Sequence, residues 1–168
     1  MRRSLLWAAV ILIALLLQST VFAQIRLGGT QPDLIYLVTI AMALLEGPAS
    51  GAVAGFAGGM AEDFLLNQPK GITALTLTLL GYAVGLMRQY IVTPSALLPV
   101  VMVAGGTFGG LLFDDLVKLL LGQLNVGFGE VVRIALLAAL YNAILTPLCY
   151  PILRRLAEAS RAKRVYRW

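Results

Sequence analysis

The stretch GAVAGFAGGMAED, Gly51 to Asp63, places three glycines four residues apart and ends in two adjacent acids. Residues at that spacing share one face of an α-helix, so Gly51, Gly55 and Gly59 form a stripe with Gly58 beside it. Glycines on one face let two helix backbones approach closely, which is typical of helices that associate in lipid. The stretch therefore predicts a closely packed bundle of membrane helices.

The composition indicates an integral membrane protein. Of 168 residues, 60% are hydrophobic and 12% are charged, whereas a soluble domain has roughly 25% charged residues. At about 20 apolar residues per spanning helix, this length allows roughly five or six spans and no sizeable soluble domain. The chain has no histidine and a single cysteine, Cys149, so no metal site built from imidazole is expected. We interpret Cys149 as a small buried hydrophobe.

Loop signals divide the chain into six predicted spanning helices. The predicted spans are approximately 5–23, 33–46, 49–66, 72–90, 96–121 and 131–153. Gly47 and Pro48 separate the second span from the third, and both spans are short, so we predict a tight hairpin with short or tilted members. Pro147 and Pro151 are expected to kink the last span.

The six predicted spans form a transmembrane domain of residues 1–153. The first apolar run also has the form of a signal peptide cleaved after Ala23. An uncleaved first helix is the simpler interpretation, because the chain after it keeps inserting. Residues 154–168 are predicted to form a basic cytoplasmic tail.

The distribution of basic residues predicts the orientation. With six spans, one side of the membrane carries Arg2, Arg3, Arg88, Arg154, Arg155, Arg161, Lys163, Arg164 and Arg167. The other side carries Arg26, Lys70, Lys118 and Arg133. Because basic residues accumulate on the cytoplasmic side, both termini are predicted to be cytoplasmic. Five spans would place one basic terminus outside.

Two more predicted helices carry close glycines. They are Gly81 and Gly85 in the fourth span and Gly105, Gly106, Gly109 and Gly110 in the fifth. We expect all these glycines to form helix-packing faces, either within the chain or toward a partner helix. In addition, GGMAEDFLL at Gly58 resembles GGLLFDDLV at Gly109, which suggests a degenerate parallel repeat.

Acidic residues gather at the predicted external ends of the helices. They are Asp33, Glu62, Asp63, Asp114 and Asp115. A charge costs on the order of 3 kcal/mol at the bilayer centre and little near the interface, so we expect an external polar patch, solvated or ion-paired with Lys70, Lys118 or Arg133. A docking patch for an external partner and a proton or cation relay are the alternatives.

The tail, RRLAEASRAKRVYRW, is strongly basic. Its candidate contacts with anionic lipid or a cytoplasmic partner are Arg154, Arg155, Arg161, Lys163, Arg164 and Arg167. Each basic residue near an anionic leaflet contributes about 1 kcal/mol. Nothing else in the sequence indicates nucleic-acid binding, and the membrane explains the tail.

No motif for catalysis is present. The sequence has no phosphate loop, nucleophile elbow or metal-binding cluster. No histidine is present to activate a serine or threonine in the spans. We therefore predict no catalytic residues and no cofactor, and a lipid-modifying enzyme that uses Asp114 or Glu62 as its acid is a minor alternative.

Several segments carry a family resemblance through their order and spacing. A basic first span leads to QPDLIYLVTIAMALLEGPASGAVAGFAGGMAEDFL, and then come KGITALTLTLLGYAVGLMRQY and YNAILTPLCYPILRRL. Over nearly the whole chain this pattern resembles the MreD family of rod shape-determining proteins. The resemblance implies that Asp63 occupies the position of a single aspartate at the end of helix three, with Glu62 as an additional acid.

The resemblance implies a scaffold of the bacterial cell-elongation (Rod) complex, which inserts side-wall peptidoglycan from the cytoplasmic membrane. MreD-like proteins associate with MreC, a single-span protein, and through it with MreB, RodA and a class B penicillin-binding protein. No catalytic activity is known for the family, and its six-helix bundle is thought to be similar to the S component of energy-coupling-factor transporters. On this basis, leucine at Gly55 or Gly106 is expected to weaken MreC binding without preventing membrane insertion.

That kinship supplies the main alternative, a vitamin-binding transporter subunit. An S component would hold its ligand in a pocket open to the outside. The polar residues in the predicted external loops are few: Asn67, Gln68, Gln123 and Asn125. The first span, with Ala8, Ala9 and Ala14, has no convincing stripe of small residues for docking on a transport partner. The scaffold is therefore favoured.

Overall fold

The structure, a computed structural model, describes residues 2–21, 30, 32–65, 71–90, 97–123 and 126–162. Across these ranges the chain forms six α-helices, as predicted: α1 (Arg2–Thr20), α2 (Leu34–Glu46), α3 (Pro48–Leu65), α4 (Ile72–Met87), α5 (Leu98–Leu120) and α6 (Phe128–Ala162). A 3-10 turn at Arg88–Tyr90 extends α4. The all-helical fold class is confirmed, whereas the likeness to an S component stays a prediction.

Helix α2 lies at the centre of the bundle. Every residue from Leu34 to Leu44 is buried, so the helix is apolar all round, as an enclosed helix must be. Its 13 residues extend about 20 Å, short of the roughly 30 Å hydrocarbon core of a bilayer. Helix α3 follows after one residue, Gly47, which has a φ of 100°. The predicted tight hairpin of two short helices is therefore present.

Helices α3 and α4 form the most extensive contact between helices, and glycine makes it possible. A Cβ added to Gly51 would lie 2.6 Å from the carbonyl oxygen of Gly81. A Cβ on Gly55 would meet the carbonyl group of Leu77, and one on Gly59 would lie 2.5 Å from Cα of Ala74. The two backbones therefore touch directly, and the glycine stripe of α3 is an internal packing face.

Helix α6 is longer than predicted. It runs without interruption for 35 residues, through Pro147 and Pro151, to Ala162. Both prolines are exposed, so their rings project from the bundle and displace no packed neighbour. Residues 154–162, predicted as part of the tail, are the last turns of this helix. Leu153 and Ala157 are buried, which shows that these turns pack on the rest of the chain.

Within the part of the chain that the structure describes, two helices are long and apolar enough to cross a membrane: Leu98–Leu120 and the Phe128–Ala159 part of α6. The segments Leu5–Thr20 and Leu34–Glu46 are apolar but shorter. Exposed apolar surface is plentiful, because large apolar side chains such as Leu12, Val53 and Leu148 are more than half exposed. Both observations fit a bundle whose outer surface meets hydrocarbon.

Candidate functional site

Polar side chains meet in one part of the bundle, which extends from the middle of α5 and α6 to the end where α1, α3 and α5 finish and α2, α4 and α6 begin. We call it the polar end. Its buried polar residues are Gln18, Glu62, Asp63, Thr73, Thr76, Thr107, Asp114 and Asn142. Because buried polar groups are costly unless they are hydrogen-bonded, the partners of each residue indicate what it does.

Asp63 caps helix α4 from outside that helix. Its side chain is fully buried, and Oδ2 accepts hydrogen bonds from the backbone N–H of Gly71 at 2.7 Å and of Ala74 at 3.4 Å. The first N–H groups of a helix have no partner within the helix, and the positive end of the helix dipole favours an anion there. Gly71 has no side chain to serve as the cap, so the carboxylate of α3 takes that role.

Gln18 fastens α1 to two other helices. Its Nε2 donates to Oε1 of Glu62 at 2.8 Å, and its Oε1 accepts from the backbone N–H of Leu34 at 3.0 Å. The amide therefore uses both its donor and its acceptor. Elsewhere α1 contacts α2 through apolar residues that include Trp7, Ile11 and Ala14. Gln18 thus fixes the position of the last turns of α1.

Asp114 links α5 to α4. The carboxylate accepts a hydrogen bond from the Thr76 hydroxyl at 3.3 Å and forms an ion pair with Lys118 at 2.5 Å. The repeat noted in the sequence aligns Asp114 with Asp63, and the structure brings both residues to the first turns of α4. Both repeat motifs therefore contain an aspartate that accepts hydrogen bonds from the beginning of α4.

Asn142 joins α6 to the network. Its Nδ2 donates to the backbone carbonyl of Asp33 at 2.8 Å and to the Thr107 hydroxyl on α5 at 3.0 Å. Asp33 itself caps α2, since its Oδ1 accepts from the N–H of Tyr36 at 3.4 Å. All six helices are therefore tied together at the polar end.

The expectation was an external patch of acids, solvated or ion-paired, and burial of these side chains corrects its solvated form. Glu62 is 5% exposed, Asp63 is 0% exposed and Asp114 is 3% exposed, while Asp33 and Asp115 are half-buried. Glu62, Asp63 and Asp114 point inward because their partners, which are an amide, the N-terminus of α4, a threonine and a lysine, lie inside the bundle. Of the three predicted cations, Lys118 pairs with Asp114, Arg133 pairs with Glu130, and Lys70 lies outside the described residues.

The interior of the polar end still holds oxygen atoms without a hydrogen-bond partner. They are Oε2 of Glu62, Oδ1 of Asp63, Oδ1 of Asn142 and the Tyr36 hydroxyl. Within the described ranges, no group of three or more His, Cys, Asp or Glu residues is placed to hold a metal ion. We call the hydrogen bonds and the ion pair that join the helices at this end the clamp.

The glycines of α5 divide into two pairs. A Cβ on Gly106 would lie 2.7 Å from Cδ1 of Ile40, and one on Gly110 would lie 2.6 Å from Cε1 of Tyr36, so this pair packs on α2. A Cβ on Gly105 or Gly109 would meet nothing within 4 Å. That second pair, four residues apart on the outer face, forms an open depression that we call the glycine notch.

The remaining glycines predicted as packing faces are internal. A Cβ on Gly58 would lie 2.8 Å from Cγ2 of Ile35, and one on Gly85 would lie 2.5 Å from the nitrogen of Pro48. Leucine at Gly55 or Gly106 would therefore disturb the bundle itself. The expectation was that these two substitutions weaken MreC binding and leave membrane insertion intact. Because both positions are internal, a loss of binding would not identify a partner surface.

The cationic surface of the tail is only partly described. Arg154 and Arg155 are exposed on α6, and Arg154 pairs with Glu158 at 2.8 Å. Arg161 lies in the last turn of α6, while Lys163, Arg164 and Arg167 lie outside the described residues. So do the predicted loop residues Asn67, Gln68 and Asn125.

A groove between α1 and α3 bears on the alternative of a vitamin-binding subunit. Its volume is about 470 Å³, and its lining includes Trp7, Met42, Ser50 and Val53. These residues lie at the beginning of α1 and α3 and the end of α2, opposite the polar end. A pocket open to the predicted external side would lie at the polar end instead.

Sequence reasoning did not single out Gln18, Thr76, Thr107 or Asn142. Each is a polar residue within or at the end of an apolar run, a pattern that signals an intramembrane hydrogen bond. The pattern gave no partner for any of them, because the partners are 16 to 109 residues away along the chain.

Residues 1–158 of the chain match the family model of the rod shape-determining protein MreD. No curated protein and no solved structure matches the chain. Members of the matched family are membrane proteins that determine rod shape and are not a known enzyme family. Since the match covers nearly all of the 168 residues, the chain belongs to the rod shape-determining protein MreD family.

Proposed function

We propose that this chain is a non-catalytic membrane scaffold of the bacterial Rod complex, and that its outer face at α5 binds the single transmembrane helix of MreC. In that role it supports side-wall peptidoglycan synthesis, with RodA, the class B penicillin-binding protein and MreB associated indirectly. Membership of the MreD family supports the role in rod shape. The glycine notch supports the choice of surface.

The notch has the form of a helix-docking surface. Gly105 and Gly109 are exposed on α5, between the large apolar side chains of Val101, 65% exposed, and Phe113, 39% exposed. In lipid, helices associate through close backbone packing because apolar side chains gain little by leaving hydrocarbon. A partner helix that crosses α5 at the notch would contact its backbone and fit between the flanking side chains.

The internal contacts of the other glycines favour α5 over α3. Every glycine of the α3 stripe already faces α4 or α2, at distances that leave no room for a Cβ. A groove of about 210 Å³ beside the notch, lined by Leu79, Ala83, Gly109 and Phe113 among others, widens the surface on the α4 side. The surface that this chain offers to a partner helix therefore consists of the glycine notch and an adjoining groove.

The proposed orientation places both termini in the cytoplasm and turns the polar end toward the external side, with Asn142 as its deepest member in the bilayer. The exposed Arg154 and Arg155 would then lie at the cytoplasmic interface, where they would contact anionic phospholipid headgroups. The clamp at the polar end would hold the α5 surface rigid against α4 and α6, so that the notch keeps its shape when MreC dissociates.

The test is co-purification of MreC with three variants from a rod-shaped bacterium. The double variant Gly105→Leu/Gly109→Leu fills the notch, and we expect at least a ten-fold loss of MreC, about 1.4 kcal/mol, at an unchanged membrane level. Ala9→Leu is the matched control, since Ala9 is a small exposed residue on α1. Gly55→Leu is the fold control and should lower the membrane level itself.

Two results would contradict the proposal. Undiminished MreC with the notch filled would rule out this surface. Depletion of the chain that causes a vitamin-uptake defect, with cell shape and side-wall synthesis intact, would favour the transporter subunit instead. Rounding of depleted cells, rescued by Ala9→Leu but not by the filled notch, is the expected outcome.

A further inference from the structure

The outward face of α6 carries an unusual backbone feature. Pro147 and Pro151 both lie inside the helix, and a proline has no N–H to donate to the carbonyl four residues earlier. The carbonyl oxygens of Ala143 and Pro147 therefore lack their ordinary helical hydrogen bond. Because a proline ring stands against that carbonyl, both oxygens lie beneath the rings of two exposed prolines.

The side chains of the described residues do not replace the missing donors. The nearest hydroxyl, on Thr146, donates to the carbonyl of Asn142 at 2.6 Å. Among the side-chain hydrogen bonds found within the described ranges, none ends on the carbonyl of Ala143 or of Pro147. Two carbonyl oxygens on this face, about 6 Å apart along the helix axis, thus lack both their ordinary i+4 helical bond and a side-chain donor.

These acceptors lie at the depth where lipid offers them nothing. The stretch between Arg133 and Arg154, residues 134–153, contains no charged residue. Its midpoint falls between Ala143 and Ile144, so the two carbonyls lie near the middle of the hydrocarbon core when α6 spans the bilayer. An unsatisfied backbone group there costs several kcal/mol, and prolines in spanning helices are tolerated where neighbouring groups supply the bond.

The side chains around the carbonyls point to a protein neighbour. Leu140, Ile144 and Leu148 are 57%, 65% and 66% exposed and recur every four residues along the same face as the prolines. With Pro147 and Pro151 they form the proline face. A lipid chain would cover the apolar side chains of the proline face but would give the two carbonyl oxygens no hydrogen bond. A helix that carries a hydrogen-bond donor would do both.

We propose that the proline face of α6 binds a partner's transmembrane helix that carries an amide or hydroxyl side chain at mid-bilayer depth. The donor bonds to the carbonyl of Ala143 or Pro147. This site uses none of the residues of the glycine notch and goes beyond the proposed binding of MreC there. The full scaffold would then hold two membrane helices at two separate surfaces.

The test uses a defined probe in phosphatidylcholine vesicles that contain the full chain. The probes are two dansyl-labelled leucine helices, one with a single central glutamine and one without, and energy transfer from the tryptophans of the protein measures binding. Intramembrane side-chain hydrogen bonds contribute about 0.6–1.7 kcal/mol, so wild type should bind the glutamine helix roughly three- to fifteen-fold more tightly.

Variants identify the acceptors. Pro147→Ala/Pro151→Ala restores both backbone donors, so the preference for glutamine should disappear while thermal stability stays equal or rises. Leu136→Ala, a control on the same side of α6, should keep the preference. Ile144→Phe, which covers the face and leaves the backbone bonds alone, should abolish it independently.

Equal binding of the two probes by wild type would overturn the proposal and leave lipid as the occupant of this face. A glutamine preference that survives in the double alanine variant would also overturn it, because the donor would then bond elsewhere.

Discussion

The role of Asp63 as a cap for α4 makes a strong prediction about stability. Asp63→Ala removes the acceptor for the N–H groups of Gly71 and Ala74. Loss of an N-cap costs about 0.5–2 kcal/mol, and a buried donor left without a partner costs about 1–3 kcal/mol. The short Gly71 bond should account for most of this cost and the long Ala74 bond for less. Together the two costs give an expected loss of about 2–4 kcal/mol in the free energy of unfolding.

The assay is thermal unfolding of the purified chain in detergent. A loss of that size corresponds to a decrease in Tm on the order of 5–15 °C for a chain of this length. Asp63→Asn keeps an oxygen acceptor but loses the charge that interacts with the helix dipole, so it should cost about 1 kcal/mol. Glu130→Ala is the control, since it removes an acid from an exposed ion pair with Arg133, which is worth about 0–1 kcal/mol.

A local measurement distinguishes capping from general packing. Hydrogen exchange at residues 71–77 should become faster in Asp63→Ala, because those amides lose their cap, while exchange in α6 should change little. The explanation fails if Asp63→Ala lowers Tm no more than Glu130→Ala does, or if exchange rises equally in every helix.

Two further predictions concern the same polar end. Lys118→Met leaves the carboxylate of Asp114, 3% exposed, without its cation and should lower the free energy of unfolding by about 3–5 kcal/mol. The double variant Lys118→Met/Asp114→Asn should recover part of that free energy in the same unfolding assay. No recovery would show that loss of the ion pair is not the cause. Gln18→Leu removes two hydrogen bonds and should loosen α1. Val10 and Cys149 line one groove, so a disulfide between Val10→Cys and Cys149 should form less completely with Gln18→Leu than with Gln18. An unchanged disulfide yield would contradict the role of Gln18 in fastening α1.

The clamp also explains how a bundle with short central helices keeps its arrangement. Helix α2 has 13 residues and α4 has 16, and apolar burial between membrane helices supplies little net driving force. Hydrogen bonds and an ion pair at the polar end, together with the backbone contact of α3 and α4, provide the specific interactions. A rigid framework of this kind is suited to holding partner helices on its outer surface.

The sequence by itself determined the membrane class, the six helices and the hairpin at Gly47. Those features follow from local chemistry, since apolar run length, glycine spacing and proline position act over a few residues. The same local reasoning misjudged the end of α6. It ended the last span at Leu153, whereas α6 continues to Ala162, with Leu153 and Ala157 buried against the rest of the bundle. The kink expected at the prolines stays a prediction.

Only the tertiary structure decided what the acids and glycines do. Asp63 and Gly71 are eight residues apart, and Asn142 and the carbonyl of Asp33 are 109 apart, so no local pattern contains those bonds. Similarly, Gly105 and Gly106 are neighbours in sequence, yet one faces open space and the other faces Ile40. The side of a helix that meets a neighbour depends on the rotation of that helix in the bundle, and packing among all six helices sets that rotation.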